Sequence, residues 1–396
     1  MNTNGVADFD SEIAKYTDFL QQDLDNQFLL AKLGDLHHRA GQFDEAQHYF
    51  DKLLLADPEH SPAKSGLAAV CISRHDFEQA EQLFLSMGDL LDASPALQHN
   101  LGLALFYQDK WPDALARFEA AMAGGLEDVD TLAYQAYCHH HLGNVARALK
   151  FAKLAYEKVP NDQAQGYVSL LQMDKGDFEA AVRTARKALD TNPENVDANV
   201  VLGSYLLERQ QVDEALPFLS LSLDKDPDNS RAWLGLGLVQ MYNQQMPEAI
   251  DSISRALSYT PRNPGTIVTL GWAHIANNDL NKAEETFRHA VAVSPSFGEA
   301  HGGLATVLAL ANRDDEAREE VRKSRRLNKG GFGAAFALSI LLESGGKHDR
   351  AVQVLGHSFL QSPKAGGLKL IEAIKIHAQR SSAKQGPAKL KSPRNL

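Results

Sequence analysis

Four side chains that could bind a metal stand together in the run Cys138-His139-His140-His141. Thiolate sulfur and imidazole nitrogen are the usual ligands of zinc. Successive residues of a helix point roughly 100° apart, so the three histidines cannot share one ion. Cys138 and His141 could face together, but two ligands do not close a tetrahedral site. We therefore expect no metal here. His139 is expected to pack between helices, and His140 and His141 are expected to line a partner-binding groove.

A second candidate is the run Ser344-Gly345-Gly346-Lys347, which is similar to the end of a phosphate-binding loop. That motif requires a first glycine and a hydroxyl after the lysine, where this chain has Leu341 and His348. We interpret the run as a turn between helices. The sequence also contains no G-x-S-x-G, H-E-x-x-H, paired C-x-x-C or G-x-G-x-x-G motif. We therefore expect no catalytic residue and no cofactor, so the protein is not expected to be an enzyme.

Charge and composition narrow the classes of partner. With 40 Lys and Arg against 51 Asp and Glu, the net charge is −11, which argues against general nucleic-acid binding. Two cysteines cannot form a disulfide framework, so a reducing, cytoplasmic location is expected. Residues 1–11 have no signal-peptide pattern, and no apolar run approaches the length of a membrane span. Peripheral membrane association stays open, and no sequence feature decides the oligomeric state.

A ladder of small residues indicates the elements that hold the candidate side chains. Gly203, Ala215 and Pro227 are spaced by twelve residues, and the same triplet recurs after 34 and 68 residues. The whole array divides into ten units at 27–60, 61–94, 95–128, 129–161, 162–195, 196–229, 230–263, 264–297, 298–331 and 332–365.

Each unit has a small residue or serine at its eighth position and alanine twelve residues later. The alanines are Ala46, Ala80, Ala114, Ala148, Ala181, Ala215, Ala249, Ala283, Ala317 and Ala351. Two antiparallel helices pack closely only where their backbones cross over small side chains. A large residue at the crossing would overpack it, at a cost of about 1–3 kcal/mol. The ladder therefore predicts ten helix pairs.

The segments outside the array are expected to close or extend it. We predict a disordered N-terminus at 1–9, closing helices at 10–26 and 366–379, and a basic disordered tail at 380–396. Residues 329–333, Lys-Gly-Gly-Phe-Gly, replace the usual proline turn between the last two units. A looser joint is expected there.

The 34-residue pattern resembles the tetratricopeptide repeat, and the best single match is Trp233, Leu236, Gly237, Ala249 and Pro261. The resemblance covers about residues 27–365. It implies an all-α fold, a right-handed α-solenoid (superhelix) of tandem antiparallel helix pairs. It also implies that first helices line a concave groove and second helices form the convex face.

Positions of the first helix that would face this groove carry many aromatic and polar side chains. These candidate partner-binding residues are His99, Asn100, Phe106, Tyr107, Tyr134, Tyr137, His140, His141, Tyr167, Met173, Met241, Tyr242 and Trp272. Aromatic side chains on a rigid wall suit the binding of a peptide or helix. The alternative is that several of them belong to the core between helices.

One dense basic cluster lies on the second helix of the ninth unit, and its members are Arg318, Arg322, Lys323, Arg325 and Arg326. It is either a solvated face or a site for an anionic partner. The sequence therefore favours a non-catalytic scaffold that binds a protein or peptide in its groove, such as a bacterial assembly or secretion accessory. The alternative is a regulatory subunit that docks on an anionic protein or membrane surface through this cluster and the basic tail.

Overall fold

The computed structural model describes residues 3–361, with side chains from 9 to 356, and all regular elements in this range are α-helices. The chain divides into an N-terminal unit that ends at Asp177 and a C-terminal unit that begins at Phe178. The N-terminal unit contains α1 (Thr3–Gln22), α2 (Gln27–Arg39), α3 (Phe43–Ala56), α4 (Ser61–Ser73), α5 (Phe77–Leu85), α6 (Asp89–Ala93), α7 (Pro95–Phe106), α8 (Trp111–Ala123), α9 (Val129–His141), α10 (Val145–Lys158) and α11 (Asp162–Asp174).

The C-terminal unit continues the same alternation of first and second helices. It contains α12 (Phe178–Thr191), α13 (Val196–Glu208), α14 (Val212–Lys225), α15 (Ser230–Tyr242), α16 (Met246–Tyr259), α17 (Pro264–Ala276), α18 (Leu280–Val293), α19 (Gly298–Leu310), α20 (Asp314–Leu327), α21 (Phe332–Ser344) and α22 (His348–Gln361). Within each unit, a second helix packs on the first helix of its own pair and on the first helix of the next.

Small residues at the helix crossings explain this packing. All ten ladder alanines are buried. A methyl group added to Gly34 would lie 2.6 Å from the ring of Phe50, and one added to Gly66 of the next pair would lie 2.3 Å from it. Phe50 is thus held between two glycine surfaces. The same arrangement recurs with Gly203, Leu219 and Gly235, and with Gly271, Phe287 and Gly303. The predicted all-α fold of tandem helix pairs is confirmed.

Every helix pair turns through one residue with a positive φ angle at the fifteenth position of the repeat. Four of these residues are glycines, Gly41, Gly143, Gly176 and Gly346. The other six are His75, Asp109, Gln210, Gln244, Asn278 and Asn312. The left-handed backbone conformation ends the first helix and starts the second after a short turn. The fold imposes this conformation even on residues that disfavour it.

Three features differ from the sequence expectations or fall outside the structure. Helix α1 begins at Thr3, before the closing helix that was expected from residue 10, and the ring of Phe9 lies 4.9 Å from the Arg39 guanidinium. The predicted closing helix at 366–379 and the basic tail at 380–396 lie outside the described residues. The expected loose joint at 329–333 is wrong, because α19 and α21 meet in backbone contact at Gly302 and Gly333.

Candidate partner-binding surface

Aromatic rings of the N-terminal unit form a continuous surface on the first helices α7, α9 and α11 and at the starts of the second helices α5 and α8. Its members are Phe77, Phe106, Tyr107, Trp111, Tyr134, Tyr137, His141 and Tyr167. Ring centroids lie 5.1 Å apart between Phe106 and Tyr134 and 4.5 Å apart between Tyr137 and Tyr167. On α9 the three aromatic residues follow helical spacing, so they share one face. We call this set the aromatic surface.

Tyr107 is the most exposed tyrosine of the aromatic surface. Its side chain is 49% exposed, although its ring stacks on Phe77 at 5.0 Å and 15°. Its hydroxyl lies 3.0 Å from the hydroxyl of Tyr134. Burial and this hydrogen bond raise the pKa of Tyr134, so that phenol stays neutral at physiological pH. The pair offers a partner an aromatic face and a hydroxyl with hydrogen-bonding capacity.

Half-buried Trp111 and exposed His141 form a second part of the aromatic surface. Their rings stack with centroids 4.0 Å apart and an interplanar angle of 5°. Partial desolvation, together with nearby His140, lowers the pKa of His141, so the ring is neutral at pH 7. Phe106 contacts Trp111 edge-on at 5.0 Å. This arrangement presents two parallel heterocycles, one at the start of α8 and one at the end of α9.

The residues predicted from the sequence do not include Phe77 and Trp111, which are the first residues of the second helices α5 and α8. A signal for them exists, because position 17 of the repeat is aromatic in four units. The residues at that position are Phe43, Phe77, Trp111 and Phe178. The first turn of a second helix lies beside the last turn of the first helix, which brings these rings next to Tyr107 and Phe106.

Other predicted residues form the base under the aromatic surface. The Nδ1 atom of His99 lies 2.8 Å from Thr131 Oγ1, and burial lowers the pKa of His99. The ring of Tyr134 stacks on buried Phe118 at 5.6 Å. Phe106 and Tyr134 also pack against the core, while Asn100 is half-buried on α7. The set therefore has a buried base and a more exposed rim, and its role in binding a partner stays a prediction.

His140 joins α9 to α11. Its Nε2 atom lies 2.8 Å from Asp174 Oδ2, and its Nδ1 atom lies 3.2 Å from the hydroxyl of Tyr167. Tyr167 itself is buried, and Met173 is half-buried on the same helix. His140 is thus a residue that positions the surface, with both ring nitrogens within hydrogen-bond distance of neighbouring side chains.

The neighbouring histidine and cysteine face the interior. His139 is buried and stacks on Phe151 at 5.4 Å, and burial lowers its pKa. Cys138 is buried, and burial raises the pKa of its thiol to about 12. The side chains of His139, His140 and His141 therefore contact Phe151, Asp174 and Trp111 respectively. No group of three or more metal-binding side chains occurs in the part of the chain that the structure describes.

In the C-terminal unit the predicted groove residues serve packing between repeats. Trp272 is only 8% exposed and contacts Phe287, Phe332 and Phe336 at 5.6, 5.6 and 6.3 Å. These phenylalanines cover it because the intervening helix α19 is built largely of small residues. Half-buried Met241 packs against the same core.

Tyr242 is also half-buried and packs against a smaller core cluster of the C-terminal unit. Trp272 is thus a core residue between helices, whereas the place of half-buried Met241 and Tyr242 in a binding groove stays a prediction. A partner could reach at most the exposed edges of Met241 and Tyr242.

All five basic residues predicted on α20 are exposed. Lys323 lies 2.9 Å from Glu319 and 2.8 Å from Glu320, and these bonds raise its pKa. Within residues 9–356, Lys323 is the one member of the cluster with a carboxylate within 4 Å, and the nearby charge of Arg322 lowers the pKa of Glu319. We call Arg318, Arg322, Arg325 and Arg326 the arginine flank. Among the described residues, none of the helices is long and apolar enough to cross a membrane.

Comparison with known families identifies the repeat. Tetratricopeptide repeat patterns match residues 37–101 and 172–239, and a second pattern of the same description matches 99–163, 222–265 and 268–332. Together the matches cover more than half of the chain. The chain belongs to the tetratricopeptide repeat family. No curated protein sequence matches it over its length or in part.

Solved structures similar to this tetratricopeptide repeat protein include two of IFIT1. The human IFIT1 dimer with PPP-AAAA has 16% identity and a TM-score of 0.54, and 96% of each chain is covered. A monomeric IFIT1 mutant with m7Gppp-AAAA has 15% identity and a TM-score of 0.55, and 95% of each chain is covered. At this identity the similarity establishes the α-solenoid fold and nothing about ligands.

Proposed function

We propose that this tetratricopeptide repeat protein is a non-catalytic scaffold that binds a segment of a partner protein on the aromatic surface of its N-terminal unit. The observation that carries the proposal is the rim made by exposed Tyr107 and by exposed His141 stacked on half-buried Trp111. Tetratricopeptide repeat arrays are protein-interaction scaffolds, and large rigid rings dominate the energetics of such interfaces.

The arrangement of the rim supports binding because its rings are fixed before a partner arrives. Tyr107 is held by stacking on Phe77 and by its hydrogen bond to Tyr134. The scaffold therefore loses little side-chain entropy when a partner binds. The rings would take apolar side chains of the partner, and the paired hydroxyls would bond to its backbone.

The titratable groups nearest the aromatic surface support a binding role over catalysis. His140 lies between Asp174 and Tyr167, and His99 is bonded to Thr131. Burial raises the pKa of the Cys71 thiol to about 11, so this thiol stays protonated at neutral pH. None of these three groups is exposed, and the exposed imidazole of the rim, His141, is stacked on Trp111. Buried, reduced thiols also suit a cytoplasmic accessory in the assembly or secretion of other proteins.

A pair of matched tyrosines provides the experiment. Tyr259 on α16 is 44% exposed, close to the value for Tyr107, but it lies in the C-terminal unit. Partners captured by the full-length protein would be identified, and their affinity measured for wild type, Tyr107→Ala, Trp111→Ala and Tyr259→Ala. We expect the two rim variants to weaken binding about tenfold or more, while Tyr259→Ala binds as wild type does.

The result that would overturn the proposal is equal affinity of Tyr107→Ala, Trp111→Ala and wild type. Thermal unfolding of each variant serves as the folding control. RNA is the competing class of ligand, and an oligoadenylate bound more tightly than any captured protein would replace the proposal. The net charge of −11 favours a protein partner.

A further inference from the structure

The arginine flank on α20 is a charged surface that the aromatic surface does not use. On an α-helix its four members fall within an arc of about 100°, and all of them are exposed. The buried side of α20, formed by Ala317, Val321 and Ser324, points away from this arc. After the first turn of α20, the charged groups within this arc are therefore the four guanidinium groups.

The glutamates of α20 neutralise these arginines only in part, because each of them has another charged or imidazole partner. Glu316 bonds to Arg313 at 2.7 Å, and Glu320 bonds to His301 at 2.6 Å. Glu319 and Glu320 also pair with Lys323. Glu316 and Glu320 lie on the other side of the helix, whereas Glu319 stands three residues before Arg322, whose charge lowers the pKa of that carboxyl. The acids in the first turn, Asp314 and Asp315, are placed where carboxylates suit the free N–H groups of the helix start.

We propose that the arginine flank is a docking site for an acidic segment of a partner protein. Guanidinium groups bind carboxylates in a bidentate manner, which favours arginine over lysine for this purpose. Arg318 and Arg322 are about 6 Å apart along the helix axis. Carboxylates on alternate residues of an extended segment are about 6.6 Å apart. Two such carboxylates therefore match the spacing of Arg318 and Arg322.

The negative net charge of the chain favours the binding of a short acidic segment over the binding of an extended polyanion. The protein carries a net charge of −11, so a nucleic acid or anionic membrane meets repulsion outside the flank. An extended segment of about four residues matches the flank, because its four arginines span about 12 Å of the helix axis. This site is on a second helix of the C-terminal unit and is independent of the aromatic surface.

The test measures binding of a fluorescein-labelled octaglutamate peptide to the full-length protein by fluorescence anisotropy. The variant Arg318→Gln/Arg322→Gln/Arg325→Gln removes three charges of the flank. The matched control Arg183→Gln/Arg186→Gln/Lys187→Gln removes three exposed charges from α12, another second helix of the same unit. We expect about tenfold weaker binding for the flank variant and less than about twofold for the control.

Two further probes are an oligoadenylate RNA and vesicles of phosphatidylserine and phosphatidylcholine in equal amounts. The proposal requires that octaglutamate binding to wild type fall with added salt and that neither of these probes bind more tightly. Equal affinity of the flank variant and wild type would overturn it. So would equal losses in the two triple variants, or tighter binding of RNA or vesicles than of octaglutamate. Circular dichroism of both variants establishes that each is folded.

Discussion

Helices α19 and α21 meet at Gly302 and Gly333, where a methyl group added to Gly333 would lie 2.6 Å from the carbonyl carbon of Gly302. The hydroxyl of Thr306 bonds to the carbonyl oxygen of Gly333 at 3.1 Å and to that of Gly302 at 3.0 Å. The glycine-rich run at 329–333 therefore permits a close helix contact. This contact also brings Phe332 and Phe336 over Trp272.

Replacement of Gly333 by alanine should destabilise the C-terminal unit by about 1–3 kcal/mol or more, because the added methyl group meets backbone that cannot move aside. Urea denaturation followed by circular dichroism measures the change. Gly356→Ala is the control, since nothing lies within 4 Å of its added methyl group. An alanine there should stabilise α22 by about 0.5–1 kcal/mol. A Gly333→Ala protein as stable as wild type would contradict the account of this contact.

Replacement of Gln244 by glycine should stabilise the turn between α15 and α16. Gln244 has a φ angle of 64°, which costs a residue with a side chain about 1–2 kcal/mol. Part of that gain is lost to the greater freedom of glycine in the unfolded chain, so about 0.5–1 kcal/mol is expected. The reciprocal variant Gly346→Ala, at a φ angle of 71°, should be less stable than wild type. Thermal unfolding distinguishes them, and changes of the opposite sign would refute the interpretation.

Protonation of His139 should make the protein less stable in mild acid. Burial lowers the pKa of His139 from its ordinary 6.5, and its Nδ1 atom has no hydrogen-bond partner. As the pH falls below 6.5, the unfolded chain binds the proton before the folded protein does. The free energy of unfolding therefore decreases, by at most about 1.4 kcal/mol per pH unit for this one proton.

The variant His139→Gln should reduce this pH dependence between pH 7 and pH 5, as measured by urea denaturation at a series of pH values. His289 is exposed on α18, so His289→Gln is the control and should leave the slope unchanged. If the two variants had identical slopes, burial of His139 would not account for the loss of stability.

The repeat architecture was predictable because close helix contact depends on residue types that are visible in the sequence. An alanine such as Ala148 marks a crossing wherever it lies twelve residues after a small residue. The turns were only partly predictable. Gly41 and Gly143 indicated a positive φ angle, whereas Gln210 and Gln244 adopt the same angle because the repeated helix pair imposes it.

The binding surface was less predictable, because burial there depends on residues far apart in the chain. Tyr137 and Trp272 both occupy position 9 of their repeats. Tyr137 lies half-buried beside Tyr167, whereas Trp272 is covered by phenylalanines from a helix two repeats later. That coverage depends on the small residues of α19, which the repeat position of Trp272 does not reveal.

The most direct test of the central claim is site-specific photocrosslinking from position 107. A benzophenone-bearing phenylalanine would replace Tyr107 in one protein and Tyr259 in another, and each would be irradiated with the captured partner. The two positions have similar exposure but lie in different units. We predict that the partner crosslinks from position 107 and not from position 259. A partner that crosslinks from 259 as well as from 107, or not from 107 at all, would contradict binding on the aromatic surface.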